Sequence, residues 1–240
     1  MVKTRAIVLH VIKFGDTQLI VDFLTEIHGR LSFLIRLPKS PNGIAKRQYF
    51  QPLMLLDIEY DYRPSLKMQK LRNIGVAYPF VTIPLSPIKI SLSLFLAEFL
   101  LYATKFEQGD KALFSFVYDS FVWLDKAKGE IANFHLLFLA RLTIFLGLGP
   151  NLRGYDGNGY FDLQEGCFVS FVPTHSHFLS IDDSMHLFQF FRLRYETMHL
   201  YTMSRMERYH CVEVIVEYYR LHIPNFPELK SLSILRSLFT

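Results

Sequence analysis

The stretch "LIVDFLTEIHGRLSFLIRL", residues 19–37, decides how the first third of the chain folds. Two runs rich in Ile, Val, Leu and Phe are broken once, at His28-Gly29, which is the pattern of paired strands and a turn. In the second run, alternation puts Arg30, Ser32, Leu34 and Arg36 on one face and Leu31, Phe33, Ile35 and Leu37 on the other. The same signature recurs on both sides. "AIVLHVIKF" (6–14) ends at Gly15-Asp16, "LMLLDIEYDY" (53–62) ends at Arg63-Pro64, and "MQKLRNIGVAYPF" (68–80) closes the set. Five short strands in about eighty residues suit a small, strongly curved barrel, because closure removes exposed edges. An SH3-like barrel is the nearest rival.

From "TIPLSPIKI" (82–90) onward the period becomes helical. Ser86-Pro87 predicts a helix start, with Ser as N-cap and Pro in the first turn. Further helices are expected over 110–127 and 130–146, from about Asp182, from Ser204 with its Glu207 capping box towards His222, and over 226–239. Residues 147–180 read as an irregular insertion rich in Gly, Pro and aromatic residues. The class is α+β: a barrel domain over 1–80, then a helical domain over 81–240.

Half the residues are hydrophobic, so the chain can bury a core. Cys167 and Cys211 form no CxxC pair, which fits a reducing compartment. The N-terminus carries charges inside its apolar run and does not read as a signal peptide. The most apolar later stretch, 88–106, is interrupted by Lys89, Glu98 and Lys105, so cytosol is the expected location. The net charge of +4 is unevenly placed. Residues 1–80 hold 12 Lys and Arg against 6 Asp and Glu, whereas the remainder is slightly acidic. That asymmetry points to a polyanion-facing N-terminal part.

The common catalytic motifs are missing. No phosphate-binding GxxxxGK[ST] loop, GxSxG elbow or HExxH occurs, and Gly147-Leu-Gly149 lacks a third glycine. "DGNGYFD" (156–162) departs from a calcium loop, with Phe161 where glycine is needed and Cys167 in place of the bidentate Glu. Asp182-Asp183 read as a helix cap and dipole partner rather than a catalytic pair. Cys167, His175, His177, His210 and Cys211 are ligand types without ligand spacing, so neither a metal nor any cofactor is expected.

The positive signal lies just beyond the opening stretch. Lys39, Lys46 and Arg47 decorate a Pro- and Gly-punctuated loop with no acid until Asp57. Arg30 and Arg36 point away from the core beside it, and Tyr49 and Phe50 follow. One reading is a groove that tracks phosphates, with Tyr49 as a stacking platform. The other is a solvated loop with one aromatic plugging the barrel.

Four segments carry a resemblance. "GDTQLIVDFLTEIHGRLSFLIRLPKS" (15–40) resembles the N-terminal signature of the bacterial recombination mediator RecO family: Gly-acid, a strand, Leu-Thr, His-Gly-Arg-Leu, then a strand into a basic loop. "FQPLMLLDIEY" (50–60), "FLARLTIFLGLGPNL" (138–152) and "YYRLHIPNFPELKSLSIL" (218–235) are similar to later family segments, in order along the whole chain. The resemblance implies an OB-fold followed by a helical domain, and a role without catalysis. Such proteins bind single- and double-stranded DNA, anneal complementary strands and, with RecR, help load RecA onto DNA covered by single-stranded DNA-binding protein (SSB). It implies a place in the bacterial cytosol at the nucleoid. It also implies DNA contacts from Arg30, Arg36, Lys39, Lys46, Arg47 and Tyr49. Capture of the acidic SSB tail by the helical domain would have Arg141 at the rim of a groove beside Phe138 and Phe145. Many members carry a four-cysteine zinc module in the region matching 147–180, where this chain has only Cys167. A barrel that grips an acidic protein partner is the alternative, separable by salt-dependent binding to plain oligonucleotides.

Overall fold

Five strands form the N-terminal sheet of the computed structural model: β1 (Val2–Phe14), β2 (Gln18–Thr25), β3 (Gly29–Arg36), β4 (Leu55–Tyr60) and β5 (Leu71–Tyr78). The structure describes residues 1–37 and 47–238, the last three by backbone alone. Lys39 and Lys46 therefore lie outside the described residues. The strand order is β3-β2-β1-β4-β5, every neighbour antiparallel. Gln69, just ahead of β5, closes the barrel by pairing in parallel with β3. Its N–H donates to the Ser32 carbonyl at 2.8 Å, and its carbonyl accepts from Leu34 N–H at 3.1 Å. This closure is that of an OB-fold, not of an SH3-like barrel.

Alternation fills the interior as the sequence implies. Val21, Phe23, Phe33 and Ile35 meet Val8, Ile58 and Tyr60 in one core. Phe33 sits edge-on to Phe23 and Tyr60, at 5.2 and 5.0 Å between ring centroids. β1 starts at Val2 rather than Ala6, because Val2–Arg5 pair with Asp57–Tyr60 of β4. Pairing thus outranks the polar residues that interrupt the apolar run there.

Two helices belong to the same compact unit, which comprises residues 1–126 and 229–235. Helix α1 (Pro87–Ala103) opens as read, with Ser86 Oγ accepting from Lys89 N–H. Helix α2 (Lys111–Lys126) ends beside the barrel exit through one buried carboxylate. Asp125 accepts from the N–H groups of Val81, Thr82 and Ile83 at 2.8–3.1 Å and from the Tyr78 hydroxyl at 3.3 Å. Lys89 Nζ adds bonds to Thr82 Oγ1 and the Asp125 carbonyl.

The second unit comprises residues 127–228 and 236–240. It holds α3 (Phe134–Phe145), α4 (Ile181–Arg192) and α5 (Arg205–His222), and a final helix α6 (Ser231–Leu238) follows. The Ser204–Glu207 capping box is formed in full. At α4 the cap is Ser180, and Asp182 and Asp183 occupy the first turn, where the helix dipole favours acids. The expected irregular insertion instead contains a sheet: β6 (Tyr160–Asp162), β7 (Cys167–Val169) and β8 (Phe178–Leu179), in the order β7-β6-β8. Strands of two or three residues are too short for alternation to register in a sequence.

Candidate nucleic-acid interface

Cations on strands β1–β3 divide into two groups. Near the start of β1 each is neutralised. Lys3 pairs with Glu59 at 2.8 Å, and Arg5 meets both oxygens of Glu26 at 2.9 and 3.0 Å while lying over the Tyr118 ring. At the opposite rim, Lys13 near the tip of the β1–β2 hairpin and Arg36 at the end of β3 make no ion pair among the described residues. Arg47, exposed in the turn that enters Tyr49, is likewise unpaired. Asp16 is the one acid on the hairpin tip.

Arg30 belongs to the first group, although alternation does put it on the outer face with Arg36. Its guanidinium donates to the Leu101 carbonyl at the end of α1 and lies 3.5 Å from Asp22, which also accepts from Ser32 Oγ. Burial presses its pKa down and Asp22 opposes that pressure. A guanidinium so engaged is not available to a phosphate. The neighbours are architectural too. Gly29 has φ +64°, and a Cβ there would collide with the Glu107 backbone, to which Arg30 N–H donates at 3.2 Å. A Cβ at Gly109 would collide with the Ile27 carbonyl. His28 stacks on Tyr62 at 3.8 Å and bonds the Tyr60 hydroxyl at 2.6 Å; burial lowers its pKa and lifts that of Tyr60 to about 12. The His-Gly-Arg signature therefore docks the barrel turn onto the α1–α2 connection.

The open rim has features that strand-by-strand reading missed. Registers Ile12↔Ile20↔Leu34 and Phe14↔Gln18↔Arg36 lay an apolar row and a mixed row across the outer faces of β1, β2 and β3. Ile12 is 46% and Phe14 51% exposed. Ala6 and Val8 share their parity yet are buried, and the register shift between Val8 and His10 is what turns Ile12 and Phe14 outward. Phe50 is buried in the barrel core, 6.5 Å from Phe23, as the plugging reading has it, and Tyr49 packs half-buried against that core.

In the second unit, Arg141 donates to the Leu193 carbonyl, and its guanidinium lies 5.6 Å from the Tyr195 ring centroid. Phe138 is fully buried and offers a ligand no surface, while Phe145 is partly exposed. The apolar void bounded by Ala140, Thr143, Leu187 and Tyr218 measures about 10 Å³, no larger than one water. Cys167 lies half-buried in β7 and Cys211 is buried in α5, where burial lifts its pKa to about 12. His175 pairs with Asp162 at 3.1 Å, His177 with Glu217 at 3.3 Å and His210 with Asp183 at 3.1 Å. No group of three or more His, Cys, Asp or Glu among the described residues could hold a metal ion. With Cys167 as its one soft donor, and burial lifting that thiol's pKa, the 147–180 segment does not fit the four-cysteine zinc site that the resemblance implies. No helix among the described residues is long and apolar enough to cross a membrane.

Residues 1–80 match the family model described as Recombination protein O N terminal, and residues 85–233 match Recombination protein O C terminal. The chain is 47% identical to the DNA repair protein RecO of Bacteroides fragilis over 238 residues, covering 99% of this chain and 98% of that one. It is 44% identical to the RecO of Phocaeicola vulgatus, covering 99% of each, and 30% identical to that of Flavobacterium psychrophilum, covering 100% and 99%. An OB-fold barrel with an open cationic rim, two family models in sequence order and relatives matched end to end lead to one assignment: the chain belongs to the RecO family of DNA repair and recombination proteins.

Proposed function

We propose that the chain acts without catalysis, binding single- and double-stranded DNA along the hairpin rim of its barrel. The observation that carries this reading is the segregation of charge: every strand cation at one end has a carboxylate partner, whereas Lys13, Arg36 and Arg47 at the other have none among the described residues. Leaving cations unpaired stabilises nothing in the fold and serves a polyanion. Neutralising phosphates releases condensed counterions, and two complementary strands so screened can approach and pair. Annealing follows from that surface without any reacting side chain. Lys39 and Lys46, between Arg36 and Arg47 in sequence and outside the described residues, extend the same run.

Action together with RecR, loading of RecA onto SSB-covered DNA, and a place at the nucleoid are supported by family membership alone. For the SSB tail, Arg141 and Phe145 keep some exposed surface, and Phe138 drops out of the reading. The aliphatic row Ile12–Ile20–Leu34 favours a second reading, in which the same face grips an acidic protein, because aliphatic side chains stack poorly on bases.

A salt titration of binding to a fluorescent single-stranded oligonucleotide decides between them. Arg36→Ala with Arg47→Ala is expected to lower the log–log salt slope by about 1.4, at roughly 0.7 per phosphate contact. Lys3→Ala, at the paired end, should leave the slope unchanged. Salt-insensitive or absent binding by the unsubstituted protein would remove the DNA reading.

A further inference from the structure

Helix α1 is apolar on every side, a pattern that belongs to helices surrounded by other elements. Only two of its residues are charged, and both are spent inward. Lys89 is buried, and its ammonium donates to Thr82 Oγ1 at 2.7 Å and to the Asp125 carbonyl at 3.2 Å. The Glu98 carboxylate accepts from the N–H groups of Lys230 and Ser231 at 3.0 and 2.8 Å and from the Ser231 hydroxyl, where α6 begins. Leu92, Phe95, Leu96 and Phe99 are fully buried, so most of the helix surface is covered.

One stripe is not. Positions 87, 90, 91 and 94 share a single face at helical spacing, and there Ile90 and Leu94 are 39% and 44% exposed. The Ser91 hydroxyl between them donates back to the Pro87 carbonyl at 2.9 Å, so its one proton is already committed. Val81, Leu85 and Ile88 stand exposed where the chain enters the stripe, the first two at 65% and 80%. Their backbone is firmly held. Asp125 accepts from the N–H groups of Val81, Thr82 and Ile83, and Ser86 caps the helix. The exposed positions of α2, by contrast, include Lys111, Asp119 and Lys126, as a solvated face requires. Five large apolar side chains displayed without charge from a fixed backbone form a preorganised contact surface.

We infer that this stripe is a self-association surface, on which α1 of one chain packs against α1 of a second copy about a two-fold axis. Charge decides the occupant. A nucleic acid meets no cation on the stripe, and an acidic or basic segment meets no opposite charge there. A two-fold axis sets a surface against itself and brings like charges together; a surface with none meets its copy without that repulsion. Ile90 and Leu94, four residues apart, belong to one of the ridges by which two helices interlock. The inference does not depend on the DNA reading above.

The test is sedimentation velocity of the full chain, without nucleic acid, across a wide range of concentrations. The unsubstituted protein should move from the mass of one chain towards twice that mass as concentration rises. Leu94→Lys and, separately, Ile90→Lys should raise the dissociation constant at least about tenfold, because each puts an unpaired ammonium into the apolar contact. Both positions are exposed, and circular dichroism should show the fold of each variant unchanged. Self-association that persists in both variants overturns the inference and puts the contact on another face. A chain that stays monomeric at every concentration overturns it too, and leaves the stripe to an uncharged helix of another protein.

Discussion

Residues 61–70, between β4 and β5, and the stretches 163–166 and 170–177 on either side of β7 are irregular connections between strands, and each of the two regions hangs on one buried polar side chain. In the first, the pin is the neutral amide of Gln69. In the second it is the carboxylate of Asp162, which accepts from the N–H groups of Gln164 and Glu165 at 2.9 and 3.0 Å and from His175 at 3.1 Å. The amide can give and accept at once, so it spans two sides of a loop and adds no charge of its own. The carboxylate only accepts, gathers converging donors, and adds its own charge to the site. Asp162 thus turns the chain between β6 and β7. Asp125 does the same for the exit from the barrel. A carboxylate pin is stronger and depends on pH; an amide pin is weaker and does not.

The largest effect is expected at Asp125. Asp125→Ala strands three backbone N–H groups and the Tyr78 hydroxyl, and removes the carboxylate charge near the buried Lys89, whose bond to the residue 125 carbonyl stays. A cost of about 3–5 kcal/mol follows from a lost buried charge with several charged hydrogen bonds. Trp123, the single tryptophan, lies two residues away in α2 and reports the transition in urea. A midpoint close to that of the unsubstituted protein would show that the linker finds other partners. Asp162→Ala comes next, at about 2–3 kcal/mol, because two backbone donors and His175 lose their acceptor in a partly solvated turn. A loss confined to residues 160–180 in hydrogen exchange would match, and a global loss would mean that the small sheet supports the whole unit.

The difference between the pins also separates what the sequence could convey from what it could not. Strand alternation in 19–37 correctly sorts Phe33 and Ile35 inward, and Ser86-Pro87 and Ser204–Glu207 mark helix starts, because these signals are local. Arg30 and Arg36 look equivalent under the same rule. Only the fold, by bringing the Leu101 carbonyl and Asp22 to one and no ion-pair partner among the described residues to the other, tells the two arginines apart. The most recognisable motif, His28-Gly29-Arg30, thereby proves to be a docking device. Gln69, Asp125 and Asp162 carry no sequence signal, since their partners lie across turns that no periodicity describes. The three strands within 147–180 were invisible for the same reason, being held by Asp162 and aromatic contacts rather than by length.

The smallest effect belongs to Gln69→Ala, and pH sharpens it. The loop carries little core, so losing three neutral hydrogen bonds should cost about 1–2 kcal/mol. At Asp125 and at Asp162, burial pushes the pKa up, but the backbone N–H donors outweigh it and leave both below the ordinary 3.8. Groups with a depressed folded pKa contribute stability that is fully present above the unfolded value and lost as pH falls through the folded one. The penalties of Asp125→Ala and Asp162→Ala, measured against the unsubstituted protein, should therefore hold from neutral pH to about 4 and shrink below it. The penalty of Gln69→Ala should stay level across the same range, because an amide does not titrate there. Urea midpoints from pH 7 down to pH 3 provide the check. A Gln69→Ala penalty that shrinks in step with the aspartate variants would mean that the loop is held by a carboxylate, with Asp61 and its Arg72 partner the first place to look.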